Sequence, residues 1–145
     1  MPLIVGPTDD KLPRVSPDGL WLAYVSNEAG REEVYVRSLA PGGGRVAVSS
    51  SGGGEPLWSR DGRRLFYRED RKLMVADIGL TPRIAVGARR VLFDRPFETD
   101  AFHPNYDVFP DGSGFVMVRT NDESRRLVVE LNWVATLRRR LGGAK

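Results

Sequence analysis

The chain has no cysteine and only one histidine, His103. Without cysteine it can form neither a disulfide framework nor a thiolate metal site, and one histidine excludes a metal site built from two or more. No stretch approaches the roughly 18 consecutive apolar residues of a membrane-spanning helix, so no membrane span is expected. Residues 1–6 are too short and too uncharged for a signal peptide, so the chain as given is expected in the cytoplasm.

Common catalytic motifs are also missing. The sequence has no Gly-x-Ser-x-Gly motif of a hydrolase, and its glycine runs at 42–44 and 52–54 lack the Lys-Ser/Thr of a phosphate-binding loop. A catalytic triad would have to be built around His103 alone, and a single histidine in a loop is more often solvated than catalytic. We therefore expect that the protein is not an enzyme and has no cofactor and no metal.

The net charge of +3 raises the question of nucleic-acid binding. Such binding needs clustered basic residues, often with aromatic residues between them. Most arginines and lysines here stand next to an acidic residue, and only residues 138–140 form a basic cluster. We expect no nucleic-acid partner.

Three stretches of the chain are copies of one another. They align without gaps over residues 13–26, 56–69 and 106–119, and each contains an Asp-Gly pair followed by an apolar run. Successive Asp-Gly pairs are 43 and 50 residues apart. A period of this length is typical of the blades of a β-propeller and not of a helical solenoid.

Each Asp-Gly pair predicts a tight hairpin turn. The aspartate accepts a hydrogen bond from its own backbone, and the glycine adopts the left-handed conformation that strains a residue with a Cβ. The structural turns are assigned to Asp18-Gly19, Asp61-Gly62 and Asp111-Gly112. The aspartates could be imagined as calcium ligands, but the repeat puts them on different blades, so we assign each one to its own turn.

The apolar runs around the turns predict four strands in each repeat. Apolar and polar residues alternate only loosely along these runs, as expected of strands that are covered on both faces. A third strand follows at 34–39, 73–78 and 127–131, and a fourth at 45–48 and 90–93. The predicted fold is all-β, a propeller segment over residues 1–133, with blade 1 at 12–49, blade 2 at 56–94 and blade 3 at 105–133, the last without its outer strand.

The two ends of the chain predict self-association. Residues 2–5 read as a fourth strand that no preceding strands accompany, and we expect residues 1–6 to complete blade 3 of a neighbouring copy. The seam would bring Leu3, Ile4 and Val5 against Leu127, Val129 and Leu131. Known propellers have roughly 4 to 8 blades, so a homodimer with six blades is favoured and a trimer with nine comes second.

Residues 134–145 predict a carboxy-terminal helix with a basic tail. Val134, Leu137 and Leu141 fall on one stripe, with the arginines at 138–140 mostly turned away from it. We expect this helix to dock on the propeller, and the alternative is a basic tether to a membrane or a partner.

The repeats resemble known propeller repeats. Ser16-Pro17-Asp18-Gly19 with the apolar run after it, and Trp58-Ser59-Arg60-Asp61-Gly62, are similar to the blade signature of TolB-like propellers, also called PD40 or WD40-like repeats. The ending at 128–133 and the stretches 12–19, 94–97 and 105–108 resemble the carboxy-terminal part of the sensor propeller of bacterial eukaryotic-like serine/threonine kinases. That resemblance implies a sensor segment that could lie outside the membrane, although kinase motifs do not occur in the sequence.

Propellers bind their partners with loops at one end of the central channel. The residues that lead into the inner strands there, and that we predict to bind a ligand, are Glu55, Asp100, His103, Asn105 and Tyr106. The favoured function is a non-catalytic module that self-assembles and serves as a binding or protein-interaction scaffold, as in a kinase sensor. The alternative is the substrate-gating propeller of a prolyl-oligopeptidase-like hydrolase whose catalytic domain is not in this sequence.

Overall fold

The structure, a computed structural model, describes residues 6–79, 83–100, 102–121 and 124–131, with 120–121 and 124–131 described as backbone. Over these residues the chain is all-β, in three antiparallel sheets that we call blades 1, 2 and 3. The all-β prediction is thereby confirmed. In this part of the chain there is no helix of the length and apolarity that a bilayer crossing requires.

Each blade is a meander in which consecutive strands pair. Blade 1 contains β1 (Asp10–Val15), β2 (Trp21–Ser26), β3 (Glu33–Ser38) and β4 (Arg45–Ala47). Blade 2 contains β5 (Gly54–Trp58), β6 (Arg64–Glu69), β7 (Lys72–Gly79) and β8 (Ala85–Asp94). Blade 3 contains β9 (Tyr106–Val108), β10 (Gly114–Asn121) and β11 (Ser124–Leu131), so it has three strands within the described ranges.

The Asp-Gly pairs form the hairpins between the first two strands of every blade. Gly19, Gly62 and Gly112 have φ angles of 74°, 68° and 70°, in the left-handed region. Each of these glycines donates its N–H to the carbonyl three residues earlier, at 2.9, 2.9 and 2.7 Å. The Oδ1 atoms of Asp18, Asp61 and Asp111 accept the N–H of Leu20, Arg63 and Ser113. The aspartates thus serve their own turns.

Neighbouring blades bury their facing sides against each other. Alternate residues of β6 point in opposite directions: Leu65 and Tyr67 pack against blade 1, and Phe66 packs against blade 3. Between blades 1 and 2 the core includes Ala23, Val25, Val34, Val36, Trp58, Leu65, Tyr67 and Met74. Between blades 2 and 3 it includes Phe66, Leu73, Val75, Phe93, Phe97, Tyr106, Phe115 and Met117. Because a neighbouring blade covers each face of these strands, apolar and polar residues alternate only loosely along them in the sequence.

The repeat also assigns faces to the two outermost blades. Leu22 and Tyr24 occupy the repeat positions at which Leu65 and Tyr67 face the preceding blade, and they form a separate buried cluster with Tyr35. Val116 and Val118 of blade 3 occupy the positions that face a following blade, and both are half-buried. The register of β11 places Leu127 opposite Val118 and Val129 opposite Val116.

Three strands begin or run differently from the sequence prediction. β1 and β5 begin before their prolines and carry a bulge, because Leu12 and Glu55 adopt positive φ angles of 53° and 51° directly before Pro13 and Pro56. β8 begins at Ala85, five residues earlier than predicted. The residues before position 90, Gly87 among them, were not assigned to a strand, yet they pair with β7 across an irregularity in register between Ala76 and Ile78.

Some predictions lie outside the described residues. These are the strand with Leu3, Ile4 and Val5, and the helix and basic tail at 134–145. For Leu127, Val129 and Leu131 the structure gives the backbone pairing with β10.

Candidate functional site

The five predicted binding residues meet where residues 95–105, which connect β8 to β9, pass over the start of β5. We call Glu55, Asp100, His103, Asn105 and Tyr106 the Glu55 cluster. The Oε1 atom of Glu55 accepts the main-chain N–H of Asp100 at 3.1 Å, and its Oε2 atom accepts that of Asn105 at 2.8 Å. The hydroxyl of Tyr106 donates to the main-chain oxygen of Glu55 at 2.7 Å. The Glu55 side chain therefore holds the loop near its middle, at Asp100, and at its end, at Asn105.

Glu55 lies inside the protein, with 2% of the residue exposed. The bulge in β5 turns it toward blade 3. Burial raises the pKa of the Glu55 carboxyl, while the two main-chain N–H groups and the positive charge of Arg68 act in the opposite direction. Burial also raises the pKa of Tyr106 well above its usual range, and the negative charge of Glu55 adds to this effect.

Arg68, at the end of β6, is the buried counter-charge of Glu55. It is 3% exposed, and its Nη2 atom donates to the carbonyl of Asp70 at 3.2 Å and more weakly to that of Phe97 at 3.5 Å. Its Nε and Nη1 atoms have no hydrogen-bond partner among the described residues. Burial lowers the pKa of Arg68, and the charge of Glu55 opposes that shift. The sequence prediction missed Arg68, which reads there as an ordinary strand residue.

Asp100 and His103 are at the surface. The Oδ1 atom of Asp100 accepts the N–H groups of Phe102 and His103 at 2.6 and 3.2 Å, and these bonds, the first above all, lower the pKa of Asp100. The His103 side chain is 81% exposed, with Nδ1 3.7 Å from Asp100 Oδ1. Phe102 is 74% exposed, and Lys11 Nζ lies 5.7 Å from its ring centroid. The loop thus presents an aromatic ring and an imidazole to solvent.

A cavity of about 420 Å³ lies beside the cluster, and we call it the channel pocket. Its lining residues are Arg14, Leu57, Pro104, Asn105, Tyr106, Asp107, Val116 and Val118. Arg14, Leu57 and Asp107 each stand four residues before the aspartate of their Asp-Gly pair, so they are equivalent residues of β1, β5 and β9. Of the predicted residues, Asn105 and Tyr106 line the pocket and the others do not. The sequence prediction missed Arg14, Leu57 and Asp107, although aligning the copies gives their shared position.

The architecture of consecutive four-stranded meanders packed face to face is that of a β-propeller segment. Solved structures that share this fold include TolB from Acinetobacter baumannii, with a TM-score of 0.60 and 20% identity over 89% of this chain and 33% of that one. An oligogalacturonate lyase from Vibrio parahaemolyticus matches with a TM-score of 0.50 and 18% identity over 72% of this chain and 27% of that one. A candidate 6-phosphogluconolactonase from Bacteroides uniformis matches with a TM-score of 0.51 and 16% identity over 87% of this chain and 40% of that one.

The resemblance to TolB-like propellers is thereby confirmed as a likeness of fold. The chain spans about a third of the length of TolB. No protein-family model matches the sequence. No curated protein matches it either.

Proposed function

We propose that this chain is a non-catalytic propeller module that binds a protein or peptide at the end of the central channel where residues 95–105 lie. The carrying observation is the buried carboxylate of Glu55, which holds the main chain of this loop at Asp100 and at Asn105. A loop fixed in this way loses little conformational entropy when it binds, and that favours affinity. The exposed Phe102 and His103 are its contact residues.

The roles of the carboxylates favour binding over catalysis. Both oxygens of Glu55 accept main-chain N–H groups, and the residue is closed off from solvent. Asp100 uses its Oδ1 atom to hold the N–H groups of its own loop. A general acid or base must reach the substrate, whereas these groups shape the backbone.

The proposal includes completion of the ring by a second copy of the chain. Val116 and Val118 are half-buried residues at positions that, in blades 1 and 2, pack on a following blade. Blade 3 has β11 as its outermost described strand, whereas blades 1 and 2 have a fourth strand there. A second copy would cover both the face and the sheet edge, giving six blades, with the nine-bladed trimer as second choice.

The resemblance to kinase sensor propellers supports a sensor role for such a module. In that setting the loop with Phe102 and His103 would receive the signal, and the ring would lie outside the membrane. No contact at this site specifically supports the alternative function, the substrate-gating propeller of a separate hydrolase. We therefore propose the sensor role.

Panning a random peptide library against the full chain tests the binding role. We expect the enriched peptides to lose affinity about tenfold or more on Phe102→Ala or His103→Ala, because exposed aromatic anchors carry a large share of interface energy. Leu20→Ala is the matched control, since Leu20 is 61% exposed in the turn at the opposite end of the strands. Peptides that bind the loop variants as tightly as the unaltered protein would refute the site.

A further inference from the structure

Another cavity, of about 390 Å³, lies between the Asp-Gly turns of blades 2 and 3, and we call it the turn pocket. The lining residues used below are Arg60, Arg64, Phe66, Val108, Phe109 and Pro110. Both walls belong to this chain, since Phe66 and Val108 pack in the core between blades 2 and 3. Ring completion by a second copy would cover the outer faces of blades 1 and 3 and would leave this interface as it is.

The repeat shows what occupies the equivalent place between blades 1 and 2. In the alignment of the copies, Trp21 corresponds to Arg64, and Trp58 corresponds to Val108. Both tryptophans pack into the core between blades 1 and 2. Two indole rings thus fill that interface near its turns, whereas an arginine and a valine stand at the same positions between blades 2 and 3.

Phe66 closes the bottom of the turn pocket without filling it. It stands where blade 1 has Ala23, and its larger ring packs edge-to-face on Phe115 with 5.0 Å between the ring centroids. Phe66 is 1% exposed, and the cavity of about 390 Å³ remains above it. That volume is within the usual range for a small-molecule site, near its lower end.

Phe109 adds an apolar wall where the other two blades have a serine. The Oγ atoms of Ser16 and Ser59 accept the N–H of the residue five positions later, at 3.0 and 2.9 Å. Phe109 cannot make this side-chain bond, although its N–H still donates to the carbonyl five residues later at 3.0 Å. Blade 3 therefore has a half-buried aromatic ring at the pocket in place of a hydrogen bond within its turn.

We propose that the turn pocket binds a small molecule with a planar aromatic ring system of about the size of indole. The ring system would lie on Phe66 and against Phe109, in the place that the tryptophans take between blades 1 and 2. The guanidinium of Arg64, which lies 3.9 Å from a carboxylate oxygen of Asp61, would cover its face. A guanidinium on the face of an aromatic ring is a favourable contact.

Arg60 favours a free small molecule over an aromatic side chain of a peptide. Its Nη1 atom reaches from the turn of blade 2 to within 3.4 Å of the carbonyl of Pro110 in the turn of blade 3. A small molecule can lie between the two turns beneath this side chain, whereas a polypeptide would have to displace it. The site goes beyond the proposed function, because it lies at the opposite end of the strands from Phe102 and His103.

Titration of the full chain with indole, followed by amide chemical shifts, tests the proposal. We expect saturable shifts at residues 60, 64 and 109. Cyclohexylmethanol is the saturated control, and it should bind about fivefold more weakly because it offers no aromatic face to the guanidinium. N-acetyltryptophanamide is the control for a peptide side chain, and it should also bind more weakly than indole.

Two variants locate the ligand. Val108→Trp introduces the residue that blade 2 has at this position, and it should weaken indole at least about tenfold by occupying its space. Phe109→Ser restores the turn serine of the other blades, so the fold is kept, and it should weaken indole about fivefold by removing the aromatic wall. Leu20→Ser is the matched control, since Leu20 is an exposed apolar residue in the turn of blade 1, and it should leave binding unchanged.

The outcomes separate this proposal from the proposed function. Failure of indole to bind, equal binding of cyclohexylmethanol, or full affinity in both pocket variants would overturn the aromatic site. Tighter binding of N-acetyltryptophanamide than of indole would show that the class of ligand is wrong. In each of these cases, panned peptides that depend on Phe102 would leave the proposed function standing, and loss of that dependence alone would remove the function and not the turn pocket.

Discussion

Glu55 illustrates why a buried carboxylate differs from its amide. Two main-chain N–H groups point at its two oxygens, and a glutamine offers one acceptor and two donors. Glu55→Gln would therefore leave one N–H facing another donor and would remove the counter-charge of the buried Arg68. We expect a loss of about 1–3 kcal/mol in the free energy of unfolding, measured by denaturant unfolding at neutral pH.

The control for this variant is Glu32→Gln. Glu32 forms a surface ion pair with Lys11, and pairs of that kind contribute about 0–1 kcal/mol to the free energy of unfolding.

The effect of Glu55→Gln on the free energy of unfolding should also depend on pH with a definite sign. Because burial raises the pKa of Glu55 in the folded state, the stability linked to its protonation is present at low pH and is lost as the pH rises through that value. The difference in the free energy of unfolding between the wild type and Glu55→Gln should therefore widen as the pH falls. A difference that narrows would contradict a raised pKa of Glu55 in the folded state.

The sequence could indicate which residues lie together before the inner strands but not what each one does in the structure. The Glu55 cluster was predicted from its place before the inner strands. The structural role of the carboxylate depends on partners 45 and 50 residues away and on a bulge in β5, neither of which leaves a local pattern. Arg68 was missed for the same reason, since its burial follows from the loop that passes over it.

Turns and strands follow more directly from local sequence. β2, β6 and β10 follow their Asp-Gly turns closely because turn chemistry and apolar runs recur together. β8 was predicted too short, since the pairing around Gly87 depends on the neighbouring strand and not on strand propensity.

The Asp-Gly turns allow a test in which backbone conformation is the main variable. Gly19 and Gly112 have positive φ angles, and a Cβ at either would meet nothing within 4 Å. Gly19→Ala and Gly112→Ala should each reduce the free energy of unfolding by about 1–2 kcal/mol, the cost of the left-handed conformation. Thermal and denaturant unfolding would measure it.

Gly44→Ala serves as the control for these turn variants. A Cβ at Gly44 also meets nothing within 4 Å, but its φ angle lies outside the positive range. The substitution should be neutral or slightly stabilising, because alanine restricts the unfolded chain. Equal losses at Gly44 and Gly19 would mean that the turns do not depend on the left-handed glycine.

At the scale of the whole molecule, the repeat determines which faces are internal. Phe66 and Val75 of blade 2 are buried because blade 3 packs against them. Val116 and Val118 lie on the equivalent face of blade 3 and are half-buried. Sequence repeats predicted this blade architecture, because every blade obeys the same local pattern. The number of blades in the ring that we propose would depend on contacts between copies, which a repeat within one chain does not encode.

Ring completion by a second copy predicts a particle of twice 16.1 kDa, measured by light scattering coupled to size exclusion. Deleting residues 1–6 should then release the monomer, because the outer edge of β11 would lose the strand that we propose for it. The Gly44→Ala chain is a suitable control, since it leaves both the edge and the end faces intact. A well-folded monomer of the full chain would refute ring completion, and an unchanged dimer after the deletion would leave the blade faces, and not the exchanged strand, as the interface.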